Sequence, residues 1–180
     1  LLLCRDRLGI KPLYYAVLPN GGLLFASEMK AILASGLVAP RMDPRSLHDY
    51  LSFKFTVGQK TFFKDIHTLP PAHWLVWKDG RFDIQRYWTP DLSGRVTHPS
   101  DAQREFDRVF RDSVDCHLVS DVPVGAFLSG GLDTSSIVQL ASQQYQGTLE
   151  TYTCGTIDEK KGDLHYSRLV ADRCAPTTMK

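Results

Sequence analysis

The stretch FLSGGLDTSSIV, residues 127 to 138, passes from apolar residues into two glycines, one carboxylate and a run of hydroxyls. Placed between a strand and a helix, Gly130 and Gly131 admit tight or left-handed dihedrals and let backbone N–H groups approach an anion with no Cβ in the way. A helix starting near Thr134 would aim its unpaired N–H groups and dipole at the same point. Ser129, Thr134, Ser135 and Ser136 add hydroxyl donors for phosphate oxygens. Asp133 narrows the chemistry, because a carboxylate beside phosphate repels it unless a cation lies between. Its presence therefore implies Mg²⁺ bridging Asp133 and a polyphosphate. The GxxxxGK[ST] and GxGxxG patterns are both absent, and the loop holds no lysine. The same residues also suit a plain glycine turn with capping hydroxyls and an acidic first helical turn, so residue chemistry leaves both readings standing.

The elements that must position this loop follow from the pattern around it. VPVGAFL reads as a short interior strand, TSSIVQLASQQ as a helix packing back through Ile137, Val138 and Leu140, TLETYTCGT as a second strand and LHYSRLVADRC as a second helix. This β-loop-α-β-loop-α order is that of an open parallel α/β sheet, whose ligands bind at the carboxyl ends of the strands. Upstream, Phe106, Val109, Phe110, Val114, His117 and Leu118 repeat at helical spacing, with Ser100 and Gln103 forming a capping box. His117 on that face reads as a packed or rim histidine rather than a metal ligand.

Residues 1 to 88 are strand-rich. LLLC, LYYAVL and LLFAS are strand-like, PNGG is a hairpin turn, and Asp79-Gly80 between WLVW and RFDIQRYW is the strongest hairpin signal in the chain. Ser27 caps a short helix ended by Gly36. Asp43-Pro44 starts a second one running through Leu47, Tyr50 and Leu51. The Pro, Gly and Ser content of TPDLSGRVTHPS, residues 89 to 100, marks a linker.

Composition bounds the function classes. The 180 residues are 43% hydrophobic, and 21 Lys and Arg against 20 Asp and Glu leave a net charge of +1, with no basic excess to recruit nucleic acid. There is no apolar run long enough for a membrane span. Cys4, Cys116, Cys154 and Cys174 lack metal or disulfide spacing and read as buried or incidental thiols of a reducing, cytoplasmic compartment. Both termini break into the middle of a pattern, as expected of a portion of a longer protein.

SDVPVGAFLSGGLDTSS closely resembles the pyrophosphate-binding signature of the ATP-pyrophosphatase superfamily, in the form used by glutamine-hydrolysing asparagine synthetases and related ATP-dependent glutamine amidotransferases. RDRLGIKPLYY, LLFASEMKAIL and TFFKDIHTLPPAHWLVWKDG…RYW resemble the latter part of the glutaminase domain of the same enzymes. Thr134, where asparagine synthetases usually carry serine, is typical of argininosuccinate synthetase. That enzyme lacks a glutaminase domain, so the segment preceding the loop places the resemblance in the amidotransferase branch.

The resemblance implies the C-terminal part of an Ntn-type glutamine amidotransferase type 2 domain (α+β) over residues 1–88, a linker over 89–100, and over 101–180 the start of an open parallel α/β ATP-pyrophosphatase domain. It implies that Leu128 lines the nucleotide cleft, and that Ser129, Gly130, Gly131, Asp133, Thr134 and Ser135 hold the pyrophosphate of ATP with Asp133 on Mg²⁺. Cys154, a small hydrophobe able to pack there, lies in the segment TYTCG, whose backbone receives adenine. Gly162 and Asp163 stand where an Asp-Glu pair is frequent. The glutaminase nucleophile of such enzymes is an N-terminal cysteine; Cys4, inside a strand-like run, is read as a packing residue, with Asp6 and Arg7 bracing the following loop. The implied activity is AMP-forming amide synthesis using glutamine, ATP, Mg²⁺ and a carboxylate acceptor, by default aspartate, in a protein that can form a homodimer. The alternatives are a specialised amidotransferase, such as one acting on a cell-surface saccharide or a relative of β-lactam synthetase, and a non-catalytic nucleotide-binding module.

Overall fold

A computed structural model describes residues 1–94, 98–155 and 162–174. The chain divides into two units, Leu1–Ser93 and Gly94–Lys180.

The first unit is built from short antiparallel strands. β1 (Leu2–Cys4), β5 (His73–Lys78) and β6 (Arg81–Arg86) form one sheet in the order β1-β5-β6. β2 (Tyr14–Val17), β3 (Leu23–Ala26) and β4 (His67–Thr68) form a second, with β2 central. The β5–β6 hairpin closes where the sequence predicts, with Asp79 and Gly80 at φ of 51° and 75°, the paired left-handed geometry of a two-residue turn. Leu3, Tyr15, Leu69 and Leu75, drawn from both sheets, make one buried cluster. Ala16, Ile32, Val38 and Ile66 make another under the helix α1 (Met29–Ala34).

One local expectation in this unit is corrected and another is met. The N-cap of α1 is Glu28, with no side-chain capping bond, so Ser27 does not cap it. Asp43 caps α2 (Pro44–Phe53) as expected, its carboxylate accepting from the Arg45 N–H at 3.1 Å and the Ser46 hydroxyl at 3.2 Å. Ser46 is the buried residue of α2; Leu47, Tyr50 and Leu51 are exposed, although the Tyr50 ring meets Phe62 edge-on, centroids 5.2 Å apart.

The second unit carries α3 (Pro99–His117), β7 (Gly125–Phe127), α4 (Leu132–Gln144), β8 (Glu150–Tyr152) and α5 (Asp163–Cys174). β7 and β8 pair in parallel, Gly125 opposite Glu150 and Phe127 opposite Tyr152, so both strands end on the same side. Val114, Leu128, Val138, Leu140, Ala141, Leu149 and Ala171 form its core. The capping box at Ser100 and Gln103 is not formed: His98 is the N-cap and Pro99 opens α3, since proline at the first helical position needs no N–H partner. Phe106, Val109, Ile137 and Leu169 are exposed, so only part of each apolar stripe is covered in these residues. His117 is exposed, its Nδ1 2.7 Å from the Ser113 carbonyl, in keeping with a rim position. No helix among the described residues is long and apolar enough to cross a membrane.

Candidate functional site

The glycine loop leaves the carboxyl end of β7 and enters α4, while the Thr153–Gly155 segment leaves the same end of β8. The two loops are therefore neighbours, at the end of the strands where open α/β sheets bind ligands. A direct bond joins them: the Thr153 hydroxyl donates to the Leu128 carbonyl at 2.7 Å.

Within the loop the two glycines do different work. Gly130 has φ of +78°, and a Cβ placed on it would lie 2.5 Å from the Ser167 nitrogen and 2.6 Å from the Tyr166 Cβ. It needs both the left-handed backbone and the absence of a side chain, because the loop presses against α5. Gly131, at φ −70° and ψ 164°, is an ordinary extended N-cap. The helix begins at Leu132, two residues before the predicted start, which places Asp133 in its first turn, where a negative charge suits the dipole.

The hydroxyls shape the loop. Ser129 Oγ and Thr134 Oγ1 share a hydrogen bond at 3.0 Å, Gly131 N–H donates to Ser129 Oγ at 3.3 Å, and Thr134 Oγ1 donates to the Gly131 carbonyl at 3.3 Å. Ser136 turns away and bonds the Leu132 carbonyl at 2.8 Å. Ser135 Oγ is buried without a hydrogen-bond partner among the described residues, a costly state for a hydroxyl unless a ligand or water completes it. Ser135 also lines a groove of about 510 Å³ between α4 and α5, together with Gln139, Leu169, Arg173 and Cys174.

Two site expectations change. Leu128 is only 1% exposed and belongs to the core, so its side chain does not line a cleft; its carbonyl instead takes the bond from Thr153. Cys154 is exposed, not packed, because the chain has already left β8 at Tyr152. Ser129, Gly130, Gly131, Asp133 and Thr134 are brought together by the loop, and Ser135 adjoins them from the second turn face.

Thr153, Gly155 and the Tyr166–Ser167 backbone are the contributors that motif reading missed. A Cβ on Gly155 would sit 2.6 Å from Leu164 Cγ, so α5 is held close to this loop as well. Nothing local in the sequence announces these contacts, which join residues distant along the chain. Among the described residues no group of three or more His, Cys, Asp or Glu side chains could hold a metal by itself.

The first unit has a second built loop, at RDRLGIK. Asp6 accepts from the N–H groups of Leu8 at 3.2 Å, Ile10 at 2.9 Å and Lys11 at 3.0 Å. The Lys11 and Ile10 bonds, ahead of smaller contributions, hold its carboxyl below the usual range. The bracing partner is Arg5 rather than Arg7. Arg5 donates to the carbonyls of Lys11 at 3.0 Å, Leu69 at 2.6 Å and Gly9 at 2.9 Å, and to Thr68 Oγ1 at 3.1 Å. Arg7 instead lies over the Trp88 ring, 5.6 Å from its centroid. Cys4 occupies a strand as expected but points outward, exposed, so it is not a packing residue.

Comparison with known proteins agrees with this division. Residues 1–88 match the glutamine amidotransferase domain family, and residues 105–177 match the asparagine synthase family. This is a glutamine amidotransferase/asparagine-synthetase-like chain. It is 35% identical over 171 residues to asparagine synthetase [glutamine-hydrolyzing] 3 of Bacillus subtilis, covering 92% of this chain and 27% of the relative. Identity to asparagine synthetase [glutamine-hydrolyzing] 1 of the same organism is 34% over 152 residues, covering 84% of this chain and 24% of the relative. The amidase chyE of Penicillium rubens is 36% identical over 154 residues, covering 82% and 22% respectively. The chain thus spans roughly a quarter of the length of these relatives. The architecture is mixed α/β, an amidotransferase-like domain preceding a synthetase-like one.

Proposed function

We propose that the whole protein is an enzyme that makes an amide from a carboxylate, with ammonia taken from glutamine and ATP cleaved to AMP and pyrophosphate. The default acceptor is aspartate: aspartate, glutamine, ATP and water give asparagine, glutamate, AMP and pyrophosphate. On this reading residues 1–88 are the end of an Ntn-type glutaminase domain, 89–100 a linker, and 101–180 the opening of an ATP-pyrophosphatase domain. The carrying observation is the glycine loop at the shared end of a parallel strand pair, inside a chain of this family.

The residues fit a magnesium nucleotide. Ser135 Oγ lacks a partner among the described residues, and Asp133 is exposed beside the N-terminus of α4. In this reading Ser129, Gly130, Gly131, Thr134 and Ser135 hold the pyrophosphate, Asp133 holds Mg²⁺ and the segment at Cys154 faces adenine. A single carboxylate is sufficient, since Mg²⁺ commonly takes one or two carboxylates, with phosphate oxygens and water completing its shell. Bound Mg²⁺ supplies charge neutralisation. The loop N–H groups and hydroxyls orient the phosphates and stabilise charge on the departing pyrophosphate. Free thiols at Cys4, Cys116, Cys154 and Cys174 support a cytoplasmic setting.

Similarity to the amidase chyE, at 36% identity against 35% for the first synthetase, supports a second reading in which the same loop serves a different acceptor. In the full-length protein, Asp133→Asn is expected to nearly abolish AMP formation while glutamine hydrolysis stays measurable. Glutamate and AMP are followed in parallel, and an unchanged AMP rate would refute the assignment.

A further inference from the structure

We infer that the first two turns of α5 act as a spacer setting the separation of the glycine loop and the Thr153–Gly155 loop, with Thr153, Gly155 and Leu164 as positioning residues for the nucleotide. The inference rests on the ATP reading above and deepens it, giving the side chains of Thr153 and Leu164 a role in holding the segment at Cys154 in place. Three close contacts carry it. Gly130 lies against the Tyr166–Ser167 backbone, where an added Cβ would approach to 2.5 Å of the Ser167 nitrogen and 2.7 Å of the Tyr166 carbonyl carbon. Gly155 lies against Leu164, one turn earlier on α5, where an added Cβ would meet Cγ at 2.6 Å and both Cδ atoms at 3.1 Å. The third contact bypasses α5, the Thr153 hydroxyl donating to the Leu128 carbonyl at 2.7 Å, immediately before the glycine loop.

These contacts make a triangle of two loops and one helix. Its α5 side is firm because Ser167 is fully buried, its hydroxyl bonded to the Leu164 carbonyl at 3.2 Å, and Ala171 one turn on is buried in the core. A ligand spanning both loops, phosphate at one and base at the other, needs their separation fixed before it arrives. Otherwise part of its binding energy is used to order them. At Gly130 the contact includes the helix backbone, a stiff way to fix the spacing since no rotamer can relax to change it, whereas at Gly155 the contact is with the Leu164 side chain.

The test uses full-length protein, with ATP and Mg²⁺ as probe, affinity read by calorimetry, and fold read by circular dichroism. Thr153→Val removes the hydroxyl and keeps the shape, and is expected to weaken ATP binding about tenfold, whereas Thr153→Ser keeps wild-type affinity. Gly155→Ala, which forces the loop away from Leu164, is expected to weaken it similarly, and Leu164→Ala, which removes the side chain that holds the loop at its distance, to weaken it as well. Glutamine hydrolysis is expected to stay at the wild-type rate in each. Unchanged ATP affinity in Thr153→Val and Gly155→Ala, alongside lost affinity in Asp133→Asn, would overturn the spacer and leave the ATP site standing. Unchanged affinity in Asp133→Asn would instead remove the ATP reading, and the spacer's role with it.

Discussion

Gly130→Ala separates the roles of the two adjacent loop glycines. An alanine held at φ of +78° carries roughly 1–2 kcal/mol of left-handed strain. Its methyl would also stand 2.5 to 2.7 Å from three atoms of the Tyr166–Ser167 region, two of them backbone. Overpacking of this kind costs about 1–3 kcal/mol, so the total is about 2–5 kcal/mol, a large share of a small domain's stability. Gly131→Ala meets only Ser129 Oγ, at 3.4 Å, on an allowed backbone. There the weaker N-cap and the lower entropy of the unfolded chain act in opposite directions, leaving a change within about 1 kcal/mol.

The assay exploits the distribution of reporters. Trp74, Trp77 and Trp88 all lie in the first unit, while α3, α4 and α5 give the second most of the helix. Urea unfolding of the 180-residue chain, followed by tryptophan fluorescence and far-ultraviolet dichroism together, therefore reads the units separately. Gly130→Ala is expected to move the dichroism transition to lower urea and leave the fluorescence transition in place. Equal losses in Gly130→Ala and Gly131→Ala would refute the close approach of loop and α5.

Arg5→Ala is expected to destabilise the first unit by about 2–4 kcal/mol, because it leaves three carbonyls without their charged donor; Arg5→Lys recovers only part, lacking the fork, and tryptophan fluorescence in urea measures both. The Asp6 carboxyl titrates below its ordinary 3.8, so its contribution is fully present above that value and disappears as pH falls through the lower folded value. Acid unfolding of Asp6→Asn, followed by fluorescence, is expected to show a weaker pH dependence below that point, and an unaltered acid limb would contradict the bracing role. Cys4→Ser is expected to leave glutamine hydrolysis by the full-length protein intact. A native-state thiol titration should modify Cys4, Cys116 and Cys154 faster than half-buried Cys174.

What the sequence made legible were features whose cause is local. The Asp79-Gly80 hairpin, the Asp43-Pro44 helix start and the glycine loop each depend on a few consecutive residues meeting a dihedral or capping demand. The errors share a different origin. Hydrophobic periodicity says which face of a helix is apolar, not whether anything in these residues covers it, so Phe106, on the apolar face of α3, and Ile137, expected to pack back from α4, are exposed. Cap signals fail where a better neighbour competes, as Pro99 does against Ser100.

The site divides along the same line. The donors of the loop were readable because SGGLDTS is contiguous, whereas the bond from Thr153 spans 25 positions to Leu128, and the Gly130 contact reaches α5 across the second strand. Leu128 and Arg5 show how such long-range partners reassign a residue within a correctly read motif. Leu128 turns its side chain to the core and offers only its carbonyl, and Arg5 takes the bracing role expected of Arg7 because Leu69 and Thr68 return beside it. A short motif can therefore reveal the chemistry a loop suits, while the spacing that makes the loop usable is written in residues that carry no motif at all.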